Sequence, residues 1–400
     1  MTSAPTSTGA DSRLPPPAGG RALAGFLLSG FLLALLGAIL PAWGYHRDPA
    51  DFVTVGNYFL SLALGIVGAA FLGRYLMERL SAVYRLVASC SVACLSLAYL
   101  ALVAPPASAW WRVAGLFVLG ISAGLLNMAL FQAVSGNYHF DAAGTVIRGG
   151  IWYGLGCLTA TLLVAGTFYA YTVPIVLAVM AAVPAVFAIV YARFSCDLLP
   201  PPKQPDLRQA LKDFRSPGAI LFALILFFQF GNEWSIAGWL PLFLIRRVGL
   251  SPKSALMILA LYWLFLLAGR LGAVAVLPYV RHGRLLMGSV CCAIFGCLIL
   301  YSTKTGFGAA SGVFFVGAGF VSIYPLVAEA IGHRFPYYHP GFFSGIFSLA
   351  VLGGLLAPAT LGYAAQVWSV AVVIGVPLIG ISMVMLLLPL IWLEAKVTGR

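Results

Sequence analysis

Twelve apolar runs of about twenty residues or more fill this chain, and that feature fixes most of what it can fold into. They cover approximately residues 22–43, 52–72, 84–104, 110–134, 144–168, 171–193, 218–246, 254–276, 285–303, 306–330, 341–364 and 367–393. A helix of about 20 apolar residues crosses the hydrocarbon core of a bilayer with its backbone hydrogen bonds satisfied internally. Too little polar sequence remains for a water-soluble surface. Charged residues are 8% of the chain and apolar residues 62%, against about 25% charged in a soluble domain. The expectation is an all-α membrane protein with twelve transmembrane helices.

The 23 Lys and Arg outnumber the 11 Asp and Glu, for a formal charge of +12. No basic stretch interleaves with exposed aromatics, so no nucleic-acid partner is expected. Positive charge in short loops is instead an orientation signal. Six basic residues, Arg47, Arg112, Arg246, Arg247, Lys253 and Lys304, fall in the loops of one side, leaving 17 for the other. Both termini are therefore expected in the cytoplasm, with the chain in a cell (inner) membrane. Trp43, Trp110, Trp111, Trp368 and Trp392 lie near span ends, where interfacial aromatics belong. Residues 1–21 read as a disordered cytoplasmic tail, with no signal-peptide cleavage expected; residues 394–400 form the second tail.

The seven cysteines (Cys90, Cys94, Cys157, Cys196, Cys291, Cys292 and Cys297) sit mostly inside apolar runs and read as small core residues. His46, His139, His282, His333 and His339 show no helix-face ligand spacing, so neither a metal nor a cofactor is expected. The chain has no Gly-rich phosphate loop and no nucleophile elbow. It does not read as an enzyme.

Residues 194–217 divide two sets of six spans, 22–193 and 218–393. This linker opens with Pro200, Pro201 and Pro202, then places Leu207, Ala210, Leu211 and Phe214 at helical spacing. That pattern predicts a short amphipathic helix on the inner membrane surface. The two sets repeat each other. Gly115 to Gly120 matches Gly312 to Gly317 at an offset of 197, and Gly73-Arg74 matches Gly269-Arg270 at 196. The glycine-rich stretch Gly149 to Gly156 has its counterpart in Gly345 to Gly354. Two parallel six-helix halves related by an axis along the membrane normal are a secondary-transporter plan.

Glu233 and Glu329 alone among the acids fall well inside apolar runs. An ionisable group at mid-bilayer costs at least ~2.5 kcal/mol, so it faces a cavity or a partner. Glu233 lies near the middle of the seventh span beside Asn232 and Trp234, with Gln229 one turn away on the same face. It is the candidate carboxylate for solute binding or proton coupling. Asn57, Tyr58, Asn127, Trp152, Tyr153, Tyr262, Trp263 and Tyr324 are the candidate cavity groups. Aromatic faces with a few amides and phenols suit a neutral hydroxylated solute. Gly149, Gly150, Gly154, Gly156, Gly353 and Gly354 allow close helix approach, and Pro41, Pro241, Pro325 and Pro358 are candidate kinks.

The chain resembles the major facilitator superfamily. Gly73 to Arg79, and Gly269-Arg270-Leu271-Gly272, stand where that family carries its signature loop and the repeat of it. Within the superfamily, Phe230 to Trp239, and Ser322 to Pro325 with Gly345, Gly353, Gly354, Pro358 and Gly362, resemble the fucose–proton symporter branch and its sugar-transporting relatives. The relatives carry acids in spans one and four; the equivalent spans here hold none. The resemblance implies that Glu329 meets Arg270 in a cytoplasmic latch, with Arg74, Arg79 and Arg334 as the other gate residues. It also implies a secondary active transporter of a small, sugar-like solute, with protons as the candidate coupling ion, working as a monomer in contact with membrane lipid. The alternatives are an exporter of amphipathic compounds or drugs and a non-transporting solute sensor.

Overall fold

The computed structural model describes residues 19–140, 142–193, 214, 216–276, 279–335 and 346–398. The tail 1–18, nearly all of the linker with its predicted amphipathic helix, Cys196, His339 and Gly345 lie outside the described residues. Among these residues twelve α-helices follow in order: α1 (Gly19–Ile39), α2 (Phe52–Arg79), α3 (Ala82–Leu102), α4 (Ala109–Phe140), α5 (Ala142–Thr167), α6 (Val173–Arg193), α7 (Pro217–Phe243), α8 (Pro252–Val276), α9 (His282–Ser302), α10 (Gly306–Arg334), α11 (Ile346–Val367) and α12 (Val372–Thr398). All twelve are long and apolar enough to cross a membrane. Among the described residues there is no strand.

Helix ends follow local chemistry. Asp51, Ser81 and Thr305 each accept a backbone N–H of the first turn of α2, α3 and α10, satisfying a donor that the helix cannot. α7 runs on through a wider turn, Leu244–Val248, and stops at Gly249 with φ 78°. That left-handed conformation is one a glycine adopts without strain.

The pairings of the first half recur in the second. α1 packs on α5 as α7 packs on α11, α2 on α4 as α8 on α10, and α3 on α6 as α9 on α12. Between halves, α2 meets α11, α5 meets α8 and α1 meets α7, which are the contacts a twofold axis along the membrane normal generates. At the α2–α11 crossing, a Cβ on Gly362 would lie 2.5 Å from the Cα of Gly56, so no larger residue fits there. An even number of spans puts the start of α1 and the end of α12 on one side, here the terminal face. The α1–α2 and α7–α8 loops lie on the opposite face.

Candidate solute-binding cavity

A cavity of about 140 Å³ lies between the halves. Its wall comes from the terminal-face ends of α1, α4, α5, α8, α10 and α11 and from the middle of α7. Phe26, Phe131, Phe230, Trp234, Phe320, Tyr324 and Phe347 supply rings, and Asn127, Thr145, Tyr153, Glu233 and Arg270 supply polar groups. The rings lock edge to face: Phe26 to Phe131 at 5.2 Å, Phe230 to Tyr324 at 5.0 Å and Tyr324 to Phe347 at 6.4 Å.

The charges of the wall are concentrated at one point. Arg270 Nη2 lies 3.5 Å from Glu233 Oε1, and both side chains are 11% exposed. Arg270 Nη1 donates across the interface to the carbonyl of Gly150 on α5. A Cβ on Gly150 would approach the guanidinium at 3.2 Å, so the bare α5 backbone makes room for it. One guanidinium thus serves a carboxylate of its own half and a carbonyl of the other. The first half contributes a neutral pair, Ser29 Oγ donating to Asn127 Oδ1 at 2.8 Å, while Asn127 Nδ2 donates to the Ala123 carbonyl at 2.9 Å.

Above the cavity, the opposite face is sealed by contacts between halves. Trp239 is fully buried and stacked across the interface on Phe59 at 5.7 Å, while within its own half its Nε1 donates to the Pro358 carbonyl at 2.9 Å. Tyr363 donates to Asn57 at 2.5 Å, the Phe52 amide donates to Gln366 at 3.1 Å, and Arg246 pairs with Asp48 at 2.6 Å.

The profile of the major facilitator superfamily matches residues 148–358, more than half of the chain. The chain belongs to the major facilitator superfamily. It is 24% identical over 367 residues to an uncharacterised transporter of the superfamily from Yersinia pestis, spanning 88% of this chain and 89% of that protein. Among solved structures it is similar to the Escherichia coli fucose:proton symporter FucP (TM-score 0.62, 16% identity, 93% of this chain and 98% of that one). It is also similar to the nucleoside transporter NupG (TM-score 0.66, 15% identity, 94% and 99%). These structures establish the superfamily fold.

Within that fold, the expected site residues divide. Glu233, Trp234, Asn127, Tyr153 and Tyr324 line the cavity. Gln229 and Asn232 do not: both are buried beside it, with Asn232 against Gly380 of α12. Helical spacing alone did not say which neighbour each face of α7 meets. Asn57 belongs to the seal, and Trp152 points outward, 37% exposed. Tyr262 and Trp263 are buried behind the wall. Tyr58 is held in a knot in which Arg112 Nε donates to it at 2.8 Å and Tyr45 meets its hydroxyl at 2.6 Å. Trp43 packs on the same knot, 7% exposed, and so does not sit in the interfacial belt.

The expected Arg270–Glu329 contact is not made in this arrangement. Arg270 pairs with Glu233, whereas Glu329 lies 3.4 Å from His282 Nδ1 and 3.7 Å from His333 Nε2. Arg334 pairs with Glu394 of α12. Arg79 lies over the Tyr75 ring at 4.3 Å; the side chain of Arg74 lies outside the described residues. Arg270 faces the cavity and α5, within reach of Glu233 and the Gly150 carbonyl, while Glu329 has two histidines beside it. Five phenylalanines of the wall and Arg270's place in it were missed. A basic residue inside an apolar run was the signal for Arg270, overridden by the position of its motif. Phenylalanine in an apolar helix carries no such mark.

Proposed function

We propose that this chain is a secondary active transporter that moves a small solute through the cavity by alternating access. Glu233 is the coupling or binding carboxylate and Arg270 its counter-charge. The observation that carries this reading is the shared guanidinium. Arg270 answers to Glu233 in one half and to Gly150 in the other, so any change of charge at Glu233 alters a contact between the halves. A buried cation left without its anion is unfavourable by several kcal/mol. Neutralising Glu233 therefore weakens the α5–α8 contact and shifts the population towards another arrangement.

Seventeen basic residues on the terminal side support a cytoplasmic terminal face, and with it an inward-facing cavity beneath a sealed outer surface. Among acids, the protonatable candidate is Glu233, because spans one and four hold none. The experiment is transport in proteoliposomes by the wild type and Glu233→Gln. For a coupling carboxylate, uptake driven by a proton gradient is lost while solute exchange persists. For a solute ligand, both fall together. Wild-type uptake with an unchanged pH profile would refute both roles.

A further inference from the structure

Resting on the transporter reading, we infer that Gln229 is a positioning residue that receives Glu233 in its protonated form. Gln229 is fully buried, and among the described residues neither its Oε1 nor its Nε2 has a hydrogen-bond partner. A carboxamide held away from solvent with both ends unpartnered is unfavourable. A methionine would fill a similar volume without that cost, so packing does not account for the amide. Its partner belongs to another state of the protein. Glu233 is the neighbour that can change its charge, and it stands one helical turn on, where side chains four apart meet.

In this structure Glu233 is turned to α8, where Arg270 Nη2 lies 3.5 Å from its Oε1. An ionised carboxylate only accepts hydrogen bonds. Against such a group the Gln229 Nε2 could donate, but its Oε1 would stay bare. A protonated carboxyl carries one O–H and one C=O, and a primary amide matches both at once. When a proton from cavity water binds Glu233, the charge that held Arg270 is gone. The new O–H donates to Gln229 Oε1, and Gln229 Nε2 donates to the carboxyl C=O. Arg270 keeps the Gly150 carbonyl. Return of the proton to water reverses the exchange.

The other groups around Glu233 do not offer that pair of bonds. Asn232 is turned to Gly380 of α12. Tyr262 of α8 and Tyr153 and Cys157 of α5 lie within electrostatic reach, and Tyr324 of α10 shares the wall. Each presents a single hydroxyl or thiol. Tyr262, whose hydroxyl also lacks a partner, is the competing candidate. Glu329 of α10 is engaged by His282 and His333. On α11 and α12, Tyr363, Glu394 and Lys396 are engaged by Asn57, Arg334 and Trp392. α1 carries no ionisable residue beyond Arg21 at its start.

The test is infrared difference spectroscopy of the purified full-length protein between alkaline and acid pH, beside thermal unfolding over the same range. The carboxylic C=O band that Glu233→Gln removes belongs to Glu233. It should move to higher wavenumber in Gln229→Met, because a carbonyl that loses a hydrogen bond stiffens, and Tyr262→Phe should leave it in place. Gln229→Met should be at least as stable as the wild type at alkaline pH, where the amide has no partner. The wild type should gain on it as the pH falls, and a Glu233→Gln background should abolish that gain. An unmoved band, no band that Glu233→Gln removes, or a stability difference independent of pH overturns the inference. So does a band that Tyr262→Phe moves instead, or a Gln229→Met protein that fails to fold at alkaline pH. Proton-driven uptake by a protein whose band does not move overturns this inference and leaves the transporter reading intact. A band that moves in a protein without proton-driven uptake does the reverse.

Discussion

Removing either member of the Glu233–Arg270 pair should destabilise the protein, but the two losses should respond differently to pH. At 3.5 Å, and with an effective dielectric of about 20, the attraction between the unit charges is roughly 5 kcal/mol. Most of that offsets the desolvation of two groups that are each 11% exposed. Breaking the pair from one side leaves the other charge uncompensated, and the expected loss is about 3–5 kcal/mol. Arg270→Gln leaves a carboxylate, which can take up a proton and become neutral. Glu233→Gln leaves a guanidinium, which cannot lose one.

The sign of the pH dependence follows. Arg270→Gln should be least stable at alkaline pH and recover as the pH falls and Glu233 protonates, whereas Glu233→Gln should show no such recovery. The double variant, with no charge left, should be more stable than the sum of the single losses allows. The assay is thermal unfolding of purified protein at several pH values, read as a double-mutant cycle. Additive losses, or identical pH profiles for the two single variants, would refute the claim that these groups share one buried electrostatic unit.

Other outcomes test the surroundings of the site. Trp239→Ala removes the largest side chain of the seal at an expected loss of about 3–5 kcal/mol, and a cysteine introduced at Asn57 should then label faster from the opposite face. Arg112→Gln should lower the unfolding temperature by breaking the bonds to Tyr58, Tyr45 and the Ala107 carbonyl, at about 1.5–3 kcal/mol for each bond to the charged group. Arg246→Gln should change stability by less than about 1 kcal/mol, because its partner Asp48 is 81% exposed. Burial first, and then the Arg47 charge, holds the His46 imidazole below its ordinary value of 6.5. Its folded state favours the neutral form, so its contribution is intact above that value and is lost as the pH falls below it. His46→Gln should flatten that acid limb in an unfolding titration.

The fold was legible because a bilayer leaves few choices. The length of each run, the positions of Lys and Arg, and the 196–197 offset each constrain the backbone, and all three agree. The site was less legible for a geometric reason. Sequence shows that Glu233 is buried and expensive, but not which helix comes to meet it. Arg270 is 37 positions away, on a different helix, and its motif position suggested a surface role. Tyr58 and Asn57 are polar and deep in an apolar run, as cavity residues would be, yet Arg112 and Tyr363 use them for structure. Polarity within a span marks a satisfied group; whether a neighbour or a solute satisfies it depends on packing that periodicity does not encode.

The halves agree in backbone and disagree in charge, and packing explains why the charge sits where it does. Where α1 crosses α7, Gly37 meets Ala237 and Gly238, one turn along α7 from Glu233. A Cβ on Gly37 would collide with the carbonyl of Ala237 and lie 3.0 Å from the Cα of Gly238, because α1 crosses α7 at that point. No side chain of any kind fits there, still less a carboxylate that would need a partner. Glu233, by contrast, stands where α7 faces the cavity and α8. Glu233 has its counter-ion on the adjacent helix of the same half, and that counter-ion reaches the first half through a backbone carbonyl. The first half thus senses the state of Glu233 without carrying a charge of its own at that position. An uncharged carbonyl loses less than a carboxylate would when the two halves separate, which makes it a suitable partner for a contact that must break and re-form in every cycle.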